Sequence, residues 1–179
     1  MKLLAVFLLV FSMVALTSGD PVPDGGSPGD AAPSDADEDQ VDLLQRSNSC
    51  PSGWTQINSR CFQYVLKPMS WARAERNCLS MGANLGSVQD LNEYRQIQAM
   101  IATASYEVKT AWIGGTDAQE LNIWLWSDGS RFTYTDWCSG EPSNYEGKQH
   151  CIQMNYSVER CWDDLNCADR LPSVCVKKP

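Results

Sequence analysis

Eight cysteines constrain this chain more than any other feature: Cys50, Cys61, Cys78, Cys138, Cys151, Cys161, Cys167 and Cys175, an even set that begins only after residue 49. The chain opens with Lys2, an apolar stretch from Leu3 to Leu16 and the small residues Thr17-Ser18-Gly19, followed at once by Asp20, Pro21 and Pro23. The apolar run is shorter than the about 20 residues needed to span a bilayer. It predicts a cleaved signal peptide over residues 1–19 and a secreted, extracellular product. In an oxidising compartment an even cysteine set is a disulfide framework. Zinc is the rival use, but Cys161 and Cys167 are too far apart for a C-x-x-C knuckle and His150 is the only histidine. Eight cysteines allow on the order of a hundred pairings, and spacing alone does not choose among them.

Residues 20–46 have a different composition from the rest. Asp20, Asp24, Asp30, Asp35, Asp37, Glu38, Asp39 and Asp42 lie there, with no base before Arg46 and no aromatic residue. Such a stretch buries too little apolar surface to offset its ordering entropy, so disorder is expected. It is either a propeptide removed after Gln45-Arg46 or a retained N-terminal arm. The chain has a net charge of −8 and an isoelectric point near 4.5. Without Lys2, Arg46 and these eight acids, 12 bases and 14 acids remain. The acidity therefore belongs to the leader and says little about a ligand of the folded part.

From Cys50 onward the chain is rich in aromatics, and all seven tryptophans lie there. Trp71 to Leu79 reads as an amphipathic helix with Trp71, Ala74, Cys78 and Leu79 on one face, Ser70 as N-cap and Gly82 closing the turn. A second helix starts near Gln89 or Asp90 and carries Leu91, Tyr94, Ile97, Met100 and Ile101 on one side. Short strands are expected at Ala111–Gly114, Ile123–Trp126, Cys151–Met154 and Ser173–Val176. Two early helices followed by loops over small sheets make an α+β domain, and so irregular a core needs covalent staples.

The ordered landmarks Trp71…Cys78, Gly82-Ala83-Asn84-Leu85, Trp112-Ile113-Gly114-Gly115, Trp124-Leu125-Trp126-Ser127-Asp128-Gly129, Glu141-Pro142-Ser143 and Cys161-Trp162-Asp163-Asp164 resemble the C-type lectin-like domain. The resemblance runs over residues 47–179. It implies a C-type lectin-like fold of two helices, small antiparallel sheets and a long irregular loop region. It also implies the pairs Cys78–Cys175, Cys151–Cys167 and Cys50–Cys61. The contexts Asp136-Trp137-Cys138 and Cys161-Trp162-Asp163-Asp164 are similar to small secreted fish lectins and type II fish antifreeze proteins, in which a Cys138–Cys161 bridge is characteristic. The further bridge usual in antifreeze members is missing at both ends, since Ala118 and His150 stand at its positions.

The resemblance further implies a calcium ion held in the long loop, with sugar hydroxyls completing its coordination. Calcium takes six to eight hard oxygen ligands, which suits carboxylates and side-chain amides. By position the metal ligands are Glu141, Ser143, Gln149, Asp163 and Asp164, with Pro142 as the family's cis proline. Three of these positions depart from the usual mannose-type set. Ser143 replaces an amide by a hydroxyl, Gln149 loses a charge and Asp163 gains one, so three carboxylates remain. The carbohydrate-binding residues expected are Glu141, Ser143, Tyr145, Gln149 and Asp163, with Tyr145 able to stack on a pyranose face. By the same resemblance, Glu141-Pro142 implies mannose-type rather than galactose-type recognition.

These readings point to a secreted lectin that recognises carbohydrate, calcium-assisted, with microbial surface glycans as the expected partners. Neither nucleic acid nor membrane insertion is expected. The alternative is a type II antifreeze protein, although the loop from Ser143 to Gln149 has no threonine and carries Glu146 and Lys148. An enzyme is not expected, because the cysteines are committed to bridges and His150 has no evident catalytic partner. Asn155-Tyr156-Ser157 is an acceptor sequon, which predicts a surface turn and a glycoprotein.

Overall fold

The structure, a computed structural model, describes residues 49–179. The expected signal peptide, the acidic stretch and the first two residues of the expected domain lie outside the described residues. A hairpin begins the fold. Strand β1 (Thr55–Ile57) turns at Asn58, whose φ is 54°, into β2 (Arg60–Met69), and Cys50–Cys61 closes the hairpin from its N-terminal side.

Helix α1 (Trp71–Ser80) follows. Ser70 occupies its N-cap position but its hydroxyl makes no capping bond, so α1 is held by packing rather than by that cap. Ala74 and Cys78 are buried, whereas Leu79, one residue and about 100° further round the helix, faces solvent. Gly82, at φ 66°, takes the left-handed turn that ends the helix and leads into β3 (Asn84–Leu85). Helix α2 (Leu91–Ser105) starts where the sequence places it, and Asp90 caps it by accepting from the Glu93 N–H at 2.8 Å. Tyr94, Ile97 and Ile101 are buried, while Leu91 at the start of the face is exposed.

Strand β4 (Ala111–Thr116) is buried throughout and lies inside the sheet. The strand expected over Ile123–Trp126 is shorter, β5 being Leu125–Trp126. Asn122 turns the chain at φ 66° and gives its N–H to Asp117, so Ile123 belongs to a turn. Strands β6 (Cys151–Tyr156), β7 (Cys161–Leu165) and β8 (Leu171–Lys177) complete the sheet. The order is β1-β2-β8-β4-β6-β7, with β3 on β8 and β5 on β4. Every pairing is antiparallel except β4 with β8, which is parallel at Trp112 and Ser173. Two helices on one connected sheet make this an α+β fold.

The four bridges are Cys50–Cys61, Cys78–Cys175, Cys138–Cys161 and Cys151–Cys167, the pairs the resemblance implies. The second ties α1 to β8 across 97 residues of chain. Gly114 permits a close approach in the centre of the sheet, since a Cβ there would sit 2.6 Å from the Leu85 carbonyl oxygen. The main core gathers around Trp162, which is fully buried and meets Tyr94, Trp126, Tyr134 and Trp137 edge-on. Trp162 immediately precedes Asp163 and Asp164, so the rigid centre of the domain carries the two acids.

Candidate functional site

The acids Asp163 and Asp164 lie on β7, and Glu141 lies in the long loop that faces it. Two links hold the loop against the strand. Cys138, three residues before Glu141, is bridged to Cys161, two residues before Asp163. The Cys138 N–H donates to the Trp162 carbonyl at 2.9 Å, and the Trp162 N–H donates to the Asp136 carbonyl at 2.7 Å. The Glu141-Pro142 peptide is cis. As a result one carboxylate oxygen from each of Glu141, Asp163 and Asp164 lies within 4.8 Å of the others.

This cluster is short of countercharge. Asp163 and Asp164 are 5% and 1% exposed, and no lysine or arginine pairs with either among the described residues. Burial pushes the Asp163 carboxyl up to about 6. The Gln153 hydrogen bond opposes that rise, and the neighbouring Glu141 and Asp164 charges add to it. Asp164 is also raised by burial, against the pull of the Ser143 and Asn144 amides and with Glu141 adding to the rise. Glu141 Oε2 is buried with no hydrogen-bond partner. Three desolvated hard oxygens, one of them orphaned, fit a calcium ion in charge and chemistry.

The five positions expected to ligate a metal divide into two groups. Glu141, Asp163 and Asp164 converge. Ser143 and Gln149 instead bond to one another, the Ser143 hydroxyl donating to Gln149 Oε1 at 3.2 Å. The Tyr145 N–H donates to the same oxygen at 2.6 Å. Asp164 has a second task, accepting from the Ser143 and Asn144 amides at 2.8 and 2.7 Å. Tyr145 starts a one-turn 3₁₀ helix (Tyr145–Gly147), and its side chain is 69% exposed beside the cluster.

Gln153 is the site residue that sequence reasoning missed. It sits opposite Asp163 in the β6–β7 register, 5% exposed, and donates from Nε2 to Asp163 Oδ2 at 2.6 Å. The signal available was a glutamine inside the otherwise apolar strand Cys151–Met154.

Two further expectations are corrected. Asn155 does not occupy a surface turn. It is 4% exposed on β6, donates to the Lys109 carbonyl at 2.9 Å and accepts from Gln98 at 3.0 Å. The sequon begins before the β6–β7 turn, so only Tyr156 and Ser157 reach solvent. His150 does have a partner, its Nδ1 lying 2.9 Å from buried Asp117 Oδ1. The pair joins the end of β4 to the start of β6, with His150 at one position of the absent antifreeze bridge and Asp117 next to the other.

A family model, the lectin C-type domain, matches residues 67–177. The chain belongs to the C-type lectin domain family. Members of this family bind carbohydrate or ice rather than catalyse, and they usually bind calcium. The chain is 43% identical over 142 residues to ladderlectin of Oncorhynchus mykiss, covering 79% of this chain and 75% of the relative. It is 35% identical over 175 residues to a type-2 ice-structuring protein of Brachyopsis segaliensis, covering 98% of each. Its fold superposes on the structure of herring type II antifreeze protein with a TM-score of 0.68 at 35% identity, over 73% of this chain and 99% of that one. Among the described residues no helix is long and apolar enough to cross a membrane.

Proposed function

We propose that this protein is a secreted lectin that binds carbohydrate through a calcium ion held by Glu141, Asp163 and Asp164. The observation that carries the proposal is the buried three-carboxylate cluster with Glu141 Oε2 unpartnered. Such a cluster is stable with bound protons or a bound cation, and at neutral pH a cation is the better neutraliser. Glu141, Asp163 and Asp164 would hold the ion, which would supply a hard Lewis-acidic partner for sugar hydroxyls. The chain's own groups then orient the sugar: carboxylate oxygens accept from its hydroxyls, the Gln149 NH₂ can donate, and exposed Tyr145 offers an aromatic face. Microbial surface glycans are the partner class this reading favours.

The test is retention of the purified protein on mannose and galactose resins with calcium and with EDTA. Calcium-dependent retention supports the proposal. Retention that EDTA leaves unchanged would move the ligand away from the cluster, and no retention on any sugar would end the carbohydrate reading.

Ice binding is the second reading, supported by the ice-structuring relative matched along 98% of both chains. The loop beside the cluster speaks against it. Its tip carries the exposed ion pair Lys148–Glu146 at 2.8 Å, and such charges hold liquid water. Thermal hysteresis at millimolar protein would decide for ice.

A further inference from the structure

The Ser143–Gln149 loop departs from the usual ligand set at two positions, and the structure makes those two residues partners. Gln149 Oε1 receives both the Ser143 hydroxyl and the Tyr145 N–H. A carboxamide oxygen has two lone pairs, so both are occupied and neither is left for an ion. The backbone of Gln149 returns the contact, its N–H donating to Asn144 Oδ1 at 3.1 Å. The base of the loop is fixed separately by Asp164, which holds the Ser143 and Asn144 amides.

The backbone here has a cost to meet. Asn144 and Glu146 lie at φ 43° and 55°, the left-handed region that non-glycine residues seldom adopt. An exposed segment with two such residues holds one conformation only if something crosses it. Beside the turn's own Gly147-to-Asn144 and Lys148-to-Tyr145 backbone bonds and the Lys148–Glu146 pair, the side chains that cross it are Gln149 and Asp164, and their hydrogen bonds to it run from protein donor to protein acceptor.

We infer that Gln149 is a positioning residue that holds this loop in its binding shape independently of calcium, and is not a ligand of the ion. The inference adopts the cation reading above for Glu141, Asp163 and Asp164 and removes Ser143 and Gln149 from that set. Ligand-contacting residues such as Tyr145 are then already placed before calcium arrives. Calcium contributes coordination, and the loop does not wait for it to become ordered.

Amide hydrogen exchange of the full domain in EDTA tests this, since no cation is involved. The Tyr145 amide should be protected in the native protein and exchange about tenfold faster in Gln149→Ala, the loss expected for a hydrogen bond near the upper end of the usual range. Gln149→Glu keeps the acceptor oxygen and should restore protection, whereas Gln149→Met, which fills a similar volume without that acceptor, should exchange as fast as Gln149→Ala. Melting temperature should stay within about two degrees in all three, because the loop is peripheral to the core. An unprotected Tyr145 amide in the native protein, or protection indifferent to Gln149→Ala, would overturn the inference. So would a calcium-induced shift of the Gln149 side-chain carbonyl resonance accompanied by loss of Tyr145 protection. A separate calcium titration of the native protein reads the cation proposal. Its failure alongside a protected loop would sink that proposal and leave the role of Gln149 standing.

Discussion

Gln153 on β6 and Asp163 on β7 face one another across the sheet, joined by a 2.6 Å bond from the Gln153 amide to Asp163 Oδ2. Asp163 stands where the family usually has an amide, and the buried Gln153 amide spends its N–H on that carboxylate. The bond fixes one Asp163 oxygen within the sheet, which orients the carboxylate at the cluster. Gln153→Leu should therefore weaken calcium binding by about 10- to 100-fold, the usual cost of losing a residue that orients a ligand. Isothermal titration with calcium checks this.

The acidity of the cluster sets a direction with pH. Burial pushes the Asp163 carboxyl up to about 6 in the folded domain, above its ordinary value of 3.8. A raised carboxyl favours the folded state while protonated. That contribution is complete below the unfolded value and is lost as pH rises through about 6. In EDTA the domain should thus lose part of its stability between pH 4 and pH 7. Calcium competes with the same protons, so its stabilising shift should grow over that interval. Melting curves at several pH values, with and without calcium, measure both trends.

The bridge Cys138–Cys161 should matter twice. It closes 23 residues, and its removal by Cys138→Ser with Cys161→Ser should cost about 3 kcal/mol of stability. It also holds the Glu141 turn against β7, so calcium affinity should fall even where the fold survives. Denaturant unfolding gives the first quantity and titration at low temperature the second.

Asn155 should carry no glycan when the protein is made in a secretory host, because its amide nitrogen is buried on the Lys109 carbonyl. Treatment with a peptide amidase that strips N-glycans should leave the mass unchanged. Asn155→Ala removes two part-buried side-chain hydrogen bonds at a residue with φ 62°, and should cost about 2 kcal/mol in denaturant unfolding.

Glu93 is 1% exposed on α2 and receives Arg60 from the β2 hairpin through both of its oxygens. Its Oε2 also accepts the Gln89 N–H at 2.8 Å. Glu93→Leu leaves the guanidinium with Ser87 and Asp128 alone and strands this amide. The expected loss is about 2–3 kcal/mol in denaturant unfolding, since Arg60 keeps its other partners, with calcium affinity unchanged because the pair lies in another part of the domain.

Much of this architecture is readable in the chain before it folds. Both helices follow from apolar spacing, and α2 starts after Asp90, within the Gln89–Asp90 start the sequence indicates. The core strands at Ala111 and Cys151 follow from short apolar runs. What misled was local context without tertiary neighbours. Ile123 has strand-like composition, yet the Asp117 carboxylate captures the Asn122 amide and turns the chain. Asn155 has a sequon's polarity, yet Tyr94 and Gln98 on α2 and the Lys109 carbonyl enclose it. Each is a contact between segments far apart in sequence, which periodicity does not register.

The sequence by itself determined the residue types: a cysteine framework, an α+β pattern, and three acids at Glu141, Asp163 and Asp164. Residue type decides charge and hydrogen-bonding capacity, so hard-oxygen chemistry was already present in the chain. Only the tertiary structure decided which groups spend that capacity on the protein. A side-chain oxygen has few lone pairs, and geometry assigns them. Gln149 gives its own to Ser143 and Tyr145, Asp163 shares with Gln153, and Glu141 Oε2 keeps one unspent.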